Sequence, residues 1–198
     1  MALVWGVPSR YNGAMQYSIA VHKGFERDAV QRLKVAYGFG AVDARLPVKD
    51  YLRRGKGAWV PTTSVLFPGY VLVSSFAPLD QRRMTQILGE AFYSDGAGDP
   101  IRELTDDEAR LVHSLTAFNT VVGFSRGTLR AGELQVVSGP LAGLESIIGK
   151  VDRHKRKAYL KQGLFPNLTR PALPSNAYVS REDKQPPLYL GLEVAVKL

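Results

Sequence analysis

Hydrophobic and polar positions define one especially clear turn and strand, between residues 65 and 76. Pro68 fixes φ near the value that a turn needs and Gly69 permits a positive φ, so the chain is expected to reverse there. The following stretch, 70–76, combines β-branched and aromatic side chains, as is typical of a strand. Since a turn leaves little room to bury two rings, we expect Phe67 or Tyr70 to lie near the surface.

Alternation of apolar and polar residues predicts further strands on both sides of this turn. The predicted N-terminal strands are 16–22, 41–48 and 101–104. Residues 49–64 carry several cations and glycines and are expected to form a flexible loop or hairpin. Residues 1–15 show no periodicity and are expected to be a flexible N-terminal arm.

Helical spacing of apolar residues predicts three helices in the same part of the chain. They cover about 25–37, 80–88 and the residues after 105. Asp80 is the expected N-cap of the second helix, and Thr105 with Glu108 forms a capping box for the third. Strands and helices in this order predict an α+β domain over 16–118, with a small, mostly antiparallel sheet.

Beyond residue 130 the hydrophobic period drops to two, which favours strands. Residues 119–130 are interpreted as a linker, and the part from 131 to 198 is expected to close as a small all-β barrel. An insertion at about 162–185, with three prolines, is expected to be an exposed loop before the last strand. The predicted strands are 132–138, 146–152, 157–160 and 188–196.

The net charge of +8 is concentrated in the C-terminal part. Residues 1–118 hold 14 Lys/Arg and 12 Asp/Glu, whereas residues 119–198 hold 12 and 6. A basic part beside a nearly neutral one suggests that one half binds a polyanion. The densest cationic stretch is a predicted hairpin turn that is either a solvated tip or a binding site for several phosphates. Its residues are Lys150, Arg153, His154, Lys155, Arg156 and Lys157.

Composition excludes several kinds of chemistry. The chain has no cysteine, so it has no disulfide, thiolate nucleophile or cysteine-ligated zinc, and a cytoplasmic location is the simplest expectation. No apolar run approaches the roughly 18 residues that a membrane span needs. His22, His113 and His154 are far apart in the sequence and have no acidic cluster beside them, so no metal and no other cofactor is expected.

Two motifs resemble catalytic ones but lack their context. Residues 123–127 match G-x-S-x-G, and Asp152 and His154 follow in hydrolase order, but no helix pattern follows Ser125. Residues 143–150 resemble a phosphate loop with the wrong glycine spacing and no Ser/Thr for magnesium. We therefore expect no catalytic residues and no enzyme activity.

Two further stretches carry a family resemblance. Residues 67–73 (FPGYVLV), after a Tyr-x-Ile-x-Val strand at 17–21 and a helix, resemble the N-terminal domain of NusG-type transcription elongation factors. The pattern Gly-Pro-Leu-Ala-Gly at 139–143, after Gly132 and Val136, resembles the KOW motif of that family's C-terminal barrel. Finding both in this order, over roughly 16–198, is more specific than either alone. Residues 143–145, 150–156 and 190–194 look most like the specialised antiterminator paralogs of the LoaP kind.

The resemblance implies an NGN-like α+β domain followed by a small KOW barrel of the SH3-like type. It implies that the N-terminal domain docks on the clamp of RNA polymerase and disfavours pausing, with Arg82 and Arg83 close to DNA or the opposite clamp lobe. The matching docking residues are Tyr17, Phe67, Pro68, Gly69 and Tyr70. The residues that match the KOW turn are Gly139, Pro140 and Gly143.

The family barrel binds a further partner, such as Rho, a ribosomal protein or RNA, and the basic turn favours RNA here, for instance a leader hairpin. Tyr159, Phe165 and Tyr178 are candidates for stacking on bases. We therefore expect a monomeric regulator that binds RNA polymerase and promotes processive, operon-specific antitermination. The alternatives are a general NusG-like factor that links polymerase to Rho or the ribosome, and a stand-alone RNA-binding or ribosome-associated KOW protein.

Overall fold

The computed structural model describes residues 10–11, 13–38, 40–93, 99–116, 120–130, 132–169 and 187–196. The chain divides into two units, each assembled from three stretches of sequence. Within the described residues, no helix is both long and apolar enough to cross a membrane. The first unit comprises Met1–Leu46, Pro68–Leu111 and Asn167–Lys184, and the second comprises Pro47–Phe67, Val112–Pro166 and Gln185–Leu198.

Short strands alternate with a few helices along the described residues. The strands are β1 (Arg10–Tyr11), β2 (Ala14–Ala20), β3 (Val42–Arg45), β4 (Val48–Gly55), β5 (Ala58–Val65), β6 (Tyr70–Ser75), β7 (Ile101–Glu103), β8 (Val121–Val122), β9 (Ser125–Arg130), β10 (Glu133–Ser138), β11 (Ile148–Asp152), β12 (Lys157–Leu160) and β13 (Tyr189–Val196). The helices are α1 (Glu26–Tyr37), α2 (Gln81–Leu88), α3 (Asp106–Thr116) and α4 (Pro166–Thr169), with 3-10 turns at Gly89–Ala91 and Glu145–Ile147.

The first unit is organised around β2. This strand pairs antiparallel with β6 and also with β1 and β7, while β6 pairs with β3. Because side chains alternate across a strand, every second residue of β2 and β6 faces the helices. Their apolar side chains form one buried cluster with α1 and α2, which includes Ile19, Val71, Val73, Ala29, Leu33, Met84 and Leu88.

The predicted helix caps of the first unit are confirmed. Asp80 Oδ1 accepts hydrogen bonds from the backbone amides of Arg82 and Arg83 at the start of α2. At α3, Thr105 N donates to Glu108 Oε2 and Glu108 N donates to Thr105 Oγ1, which is the reciprocal capping box. Both caps satisfy amides that a helix leaves without a partner in its first turn.

The second unit contains two sheets. Five strands are ordered β10-β9-β13-β12-β11, with β13 parallel to β9, and three are ordered β5-β4-β8, with β4 parallel to β8. In the part of the chain that the structure describes, no pairing joins β10 to β11. The described residues are thus a mixed α+β fold with several sheets, and closure of the C-terminal strands into a KOW barrel stays a prediction.

Several predictions about elements need correction. The stretch 41–48 is two strands, because Pro47 ends the ladder that β3 makes with β6 and β4 then begins a different sheet. Of the loop or hairpin expected at 49–64, the structure shows the hairpin, since β4 and β5 pair from Val48 opposite Val65 to Gly55 opposite Ala58. The stretch taken as a linker holds β8 and β9, because β9 finds partners on both sides, β10 and β13.

The predicted boundaries of the domains stay predictions. The hairpin β4–β5, which sequence reasoning includes in 16–118, groups with the second unit. Of the predicted arm at 1–15, residues 1–9 and 12 lie outside the described residues, and β1 and the start of β2 lie within them. Of the predicted insertion at 162–185, residues 170–185 lie outside the described part, as does the stacking candidate Tyr178.

Candidate nucleic-acid interface

The residues that match the family's polymerase-docking positions are mostly buried. Tyr17, Phe67 and Tyr70 are 8%, 3% and 5% exposed, and Gly69 is buried as well. The expectation that Phe67 or Tyr70 lies near the surface is therefore wrong. Pro68, Arg82 and Arg83 are exposed.

Two local contacts involve residues 67 and 69 of this stretch. In the second unit, the ring of Phe67 packs edge to face on Phe165, with 5.1 Å between centroids. In the first unit, the Glu26 carboxylate accepts from Gly24 N and Gly69 N, both at 2.8 Å, and so holds the turn against the start of α1. Phe165 is itself only 2% exposed, which removes it as a base-stacking candidate.

The predicted RNA-binding residues lie on one hairpin of the second unit, β11 and β12 with their connecting turn. Asp152 Oδ1 accepts a hydrogen bond from Lys155 N at 2.9 Å, and this bond, first among several causes, lowers the pKa of the Asp152 carboxyl. Arg156 has a φ of 51°, the left-handed conformation that closes the turn. The turn therefore exposes Arg153, His154 and Lys155 at its tip, and Lys150 is exposed on β11.

Two cations of this stretch point back onto aromatic rings instead. The Arg156 guanidinium lies 4.9 Å from the ring centroid of Trp59 and pairs with Glu193 at 2.9 Å. The Lys157 ammonium lies 3.8 Å from the ring centroid of Tyr189 and 5.1 Å from that of Tyr51. Both are cation–π contacts, so these two residues are half-buried parts of the hairpin base.

Sequence reasoning missed the residues that form this base. Tyr51, Tyr159 and Tyr189 pack together, with centroids 5.5 Å apart for Tyr51 and Tyr189 and 5.9 Å for Tyr159 and Tyr189. A second ammonium, that of Lys49, lies 3.8 Å from the Tyr189 centroid. Lys49 and Tyr51 are two apart on β4 and so share a face, but no local pattern connects them to residue 189. We call Lys49, Tyr51, Lys157, Tyr159 and Tyr189 the tyrosine–lysine cluster.

Gly191 lets β4 approach β13 closely enough to build the tyrosine–lysine cluster. A Cβ at Gly191 would lie 2.7 Å from the backbone oxygen of Asp50 and would collide with the ring of Phe124. Since Asp50 follows Lys49 directly, the absence of a side chain at Gly191 brings β4 against the strand that carries Tyr189.

Three residues of the tyrosine–lysine cluster have shifted pKa values. Burial, with a smaller contribution from the charge of Lys157, lowers the pKa of Lys49 to about 8. Burial, together with Tyr51 and Tyr159, raises the pKa of Tyr189 to about 12. Lys157 also has a lowered pKa, chiefly through burial.

Charge is divided unevenly between the units. Among the described residues, the second unit holds 12 Lys/Arg and 5 Asp/Glu, whereas the first holds 10 of each. The positive potential therefore belongs to the unit that carries the hairpin and the tyrosine–lysine cluster.

The residues that match the KOW turn form a tight turn. Gly139 has a φ of 92°, and a Cβ there would lie 2.6 Å from Ser125 Cα. Leu141 N donates to Ser125 Oγ at 3.1 Å, and Val136 N donates to Glu145 Oε1 at 2.9 Å. Pro140 and Gly143 complete the turn after β10.

The catalytic-like motifs do not form catalytic arrangements. Ser125 is fully buried at the start of a strand, where its hydroxyl oxygen caps the Leu141 amide, so it is not presented as an elbow nucleophile. Asp152 caps the turn that contains His154 and engages the Lys155 amide. Among the described residues, no group of three or more His, Cys, Asp and Glu side chains could hold a metal ion.

Comparison with known proteins gives a limited result. No protein-family model matches the sequence, and no curated protein matches it. A solved structure that concerns domain interaction in NusG from Thermotoga maritima is similar over 74% of this chain and 85% of that chain, with a TM-score of 0.41 and 17% sequence identity. A similarity of this size does not identify the family. The function is therefore inferred from the residues of this chain.

Proposed function

We propose that the chain is a non-catalytic regulator of transcription elongation that binds RNA polymerase and is recruited through RNA, promoting operon-specific antitermination. The motifs at 67–73 and 139–143 support the transcription part of this proposal by their resemblance to NusG-type factors. The RNA part depends on the chemistry of the second unit.

The observation that carries the proposal is the exposed basic hairpin tip on a unit with excess positive charge. Lys150, Arg153, His154 and Lys155 are exposed, and within the described residues the only carboxylate paired with them is Asp152, whose Oδ2 is 3.8 Å from Lys155 Nζ. Exposed cations with aromatic side chains behind them suit a single-stranded or looped RNA, which offers both phosphates and bases.

Binding to RNA polymerase needs a surface other than the buried rings. Pro68 at the turn and Arg82 and Arg83 on α2 are exposed parts of the first unit that a partner can reach. We propose that these three residues, rather than Tyr17, Phe67 and Tyr70, make the direct contacts.

One observation favours a second candidate function, that of a stand-alone RNA-binding protein. Tyr17 and Tyr70 in the first unit and Phe67 in the second are buried, so these three residues do not offer the apolar docking surface that the family resemblance implies. Such a protein would bind RNA through the same hairpin tip and would not need RNA polymerase.

A transcription assay separates the two candidates. Purified bacterial RNA polymerase would transcribe a template with an intrinsic terminator downstream of a hairpin-forming leader, with and without the chain. The proposal predicts more read-through with the chain, less with Arg82→Ala/Arg83→Ala, and a wild-type effect with the control variant Arg27→Ala, an exposed arginine of α1. Unchanged read-through together with tight binding to the leader RNA would favour the stand-alone protein.

A further inference from the structure

The tyrosine–lysine cluster places two ammonium groups on one aromatic ring. The Nζ atoms of Lys49 and Lys157 each lie 3.8 Å from the Tyr189 centroid, so they are no further apart than twice that distance. Lys49 comes from β4 and Lys157 from β12, and the chain therefore brings the two charges together only on folding.

In the described part of the chain, the two ammonium groups have no carboxylate within ion-pair distance. Among the described residues, neither Lys49 nor Lys157 takes part in an ion pair. Asp50 lies next to Lys49 on the opposite face of β4, where its Oδ1 accepts from Thr63 Oγ1 at 2.7 Å. Glu193 is engaged by Arg156, and Asp152, which is hydrogen-bonded to the Lys155 amide, acts on Lys157 only through its charge.

Two like charges in a partly desolvated position destabilise the fold, and the tyrosine rings compensate only in part. Lys49 is 6% exposed, so its charge has lost most of its hydration. A methionine or leucine at residue 49 would fill the same volume without a charge. Unfavourable charge placed at one position is characteristic of binding sites, where a ligand supplies the missing counter-charge.

A tetrahedral anion matches this arrangement in charge and size. Hydrogen bonds from an ammonium to an anionic oxygen span about 2.8 Å, so one phosphate group can reach both ammonium groups where these lie on the same side of the Tyr189 ring. Because Lys157 is only half-buried, the anion approaches from the side of β12.

We propose that Lys49 and Lys157 form a phosphate-binding subsite at the base of the basic hairpin, with Tyr189 as its platform. The subsite deepens the proposed function and depends on it for its ligand, since an RNA that lies along the hairpin tip would place one backbone phosphate there. Free inorganic phosphate has the same chemistry and is the other possible source of the anion.

The test compares RNA binding by three proteins over a salt series. A single-stranded uridine octanucleotide is titrated into the wild type, Lys49→Met and the matched control Lys161→Met, an exposed lysine of the same unit with no ring or ion-pair contact among the described residues. We expect Lys49→Met to bind about tenfold more weakly at low salt, and the slope of log K against log salt to fall by about 0.7. Equal affinity and slope for Lys49→Met and Lys161→Met would overturn the subsite.

A second arm identifies the source of the phosphate. Thermal midpoints are measured with inorganic phosphate against chloride at equal ionic strength. If the wild type binds no RNA but phosphate raises its midpoint, and Lys49→Met loses that rise, the subsite stands as a site for free phosphate and RNA recruitment fails. If the wild type binds RNA and Lys49 has no effect in either arm, RNA recruitment stands and the subsite is wrong.

A further measurement uses only the wild-type protein, so its result does not depend on whether a variant folds. The ring resonances of Tyr189 should shift on addition of the octanucleotide. Those of Tyr93, whose ring in the first unit lies 4.9 Å from the His22 ring centroid, serve as the control and should stay constant. Equal shifts for both rings, or no shift for either at saturating RNA, would contradict the subsite.

Discussion

The backbone amide of Gly69 donates a hydrogen bond of 2.8 Å to Glu26 Oε1, and this contact joins the turn at 68–69 to the first turn of α1. The second carboxylate oxygen accepts from Gly24 N, also at 2.8 Å, and Glu26 is only 5% exposed. With a φ of 86°, Gly69 presents its amide inward in a conformation that other residues rarely adopt. The turn is thus held from inside by a buried carboxylate.

Removal of this carboxylate should make the protein less stable against unfolding. We expect Glu26→Ala to lower the free energy of unfolding by about 2 to 4 kcal/mol, because the buried amide of Gly69 and the amide of the exposed Gly24 both lose a charged acceptor. Asp28→Ala is the matched control, since Asp28 lies in the same helical turn but its ion pair with Arg32 is exposed and should contribute less than about 1 kcal/mol. Urea denaturation measures both, and equal losses would show that the Glu26–Gly69 contact is unimportant.

A side chain at Gly191 should separate β4 from β13. Gly191→Ala places a Cβ 2.7 Å from Asp50 O and against the Phe124 ring, so we expect a loss of about 2 to 4 kcal/mol in unfolding free energy. Gly123→Ala serves as the control because no atom lies within 4 Å of its added Cβ. Chemical denaturation gives the two values, and a Gly191→Ala protein as stable as Gly123→Ala would refute the close approach of β4.

The lowered pKa of Lys49 predicts a particular dependence of stability on pH. The pKa is about 8 in the folded protein against 10.5 for an ordinary lysine, so the unfolded chain binds more protons between these values and stability rises with pH across that window. Below pH 8 the buried charge costs about 3 kcal/mol, and above pH 10.5 that cost disappears.

Lys49→Met isolates this contribution from the other groups of the tyrosine–lysine cluster. Lys157, whose pKa is lowered, and Tyr189, whose pKa is raised to about 12, are present in both proteins. We expect the variant to be more stable than the wild type at pH 7 and the advantage to shrink between pH 8 and 10.5. Thermal denaturation at four pH values tests this, and a difference that stays constant or grows with pH would contradict a buried, charged Lys49.

Local sequence patterns were sufficient to predict most helices and strands, but they did not predict which strands pair with each other. The period of the apolar residues predicted α1, α2, α3, β2 and β6, and the caps at Asp80 and Thr105 followed from short-range hydrogen bonding. The strand β9 was missed because Gly127 and Ser125 are its buried positions, so it carries almost no apolar signal. Its pairing with β10 and β13 fixes it as a strand, and that is a long-range property.

The candidate site was likewise predicted only where its residues are close together in the sequence. The cationic tip was visible in the sequence because its charges are consecutive. The tyrosine–lysine cluster was not, since it combines β4, β12 and β13 from positions up to 140 residues apart and depends on Gly191 to bring them together. The expectation that Phe67 or Tyr70 lies near the surface was wrong because the ring of Phe67 packs on Phe165, a residue distant in sequence, and Tyr70 is buried as well.

The most direct test of RNA recruitment is a salt titration of RNA affinity for a panel of hairpins. The wild type is compared with Arg153→Ala/Lys155→Ala, which removes two exposed tip cations, and with the control Arg126→Ala/Arg130→Ala, which removes two exposed cations of β9 in the same unit. We predict that one hairpin binds the wild type selectively, and that the tip variant loses this selectivity and about 1.4 units of salt slope. Weak binding that ignores sequence, or identical behaviour of tip and control variants, would contradict recruitment through RNA.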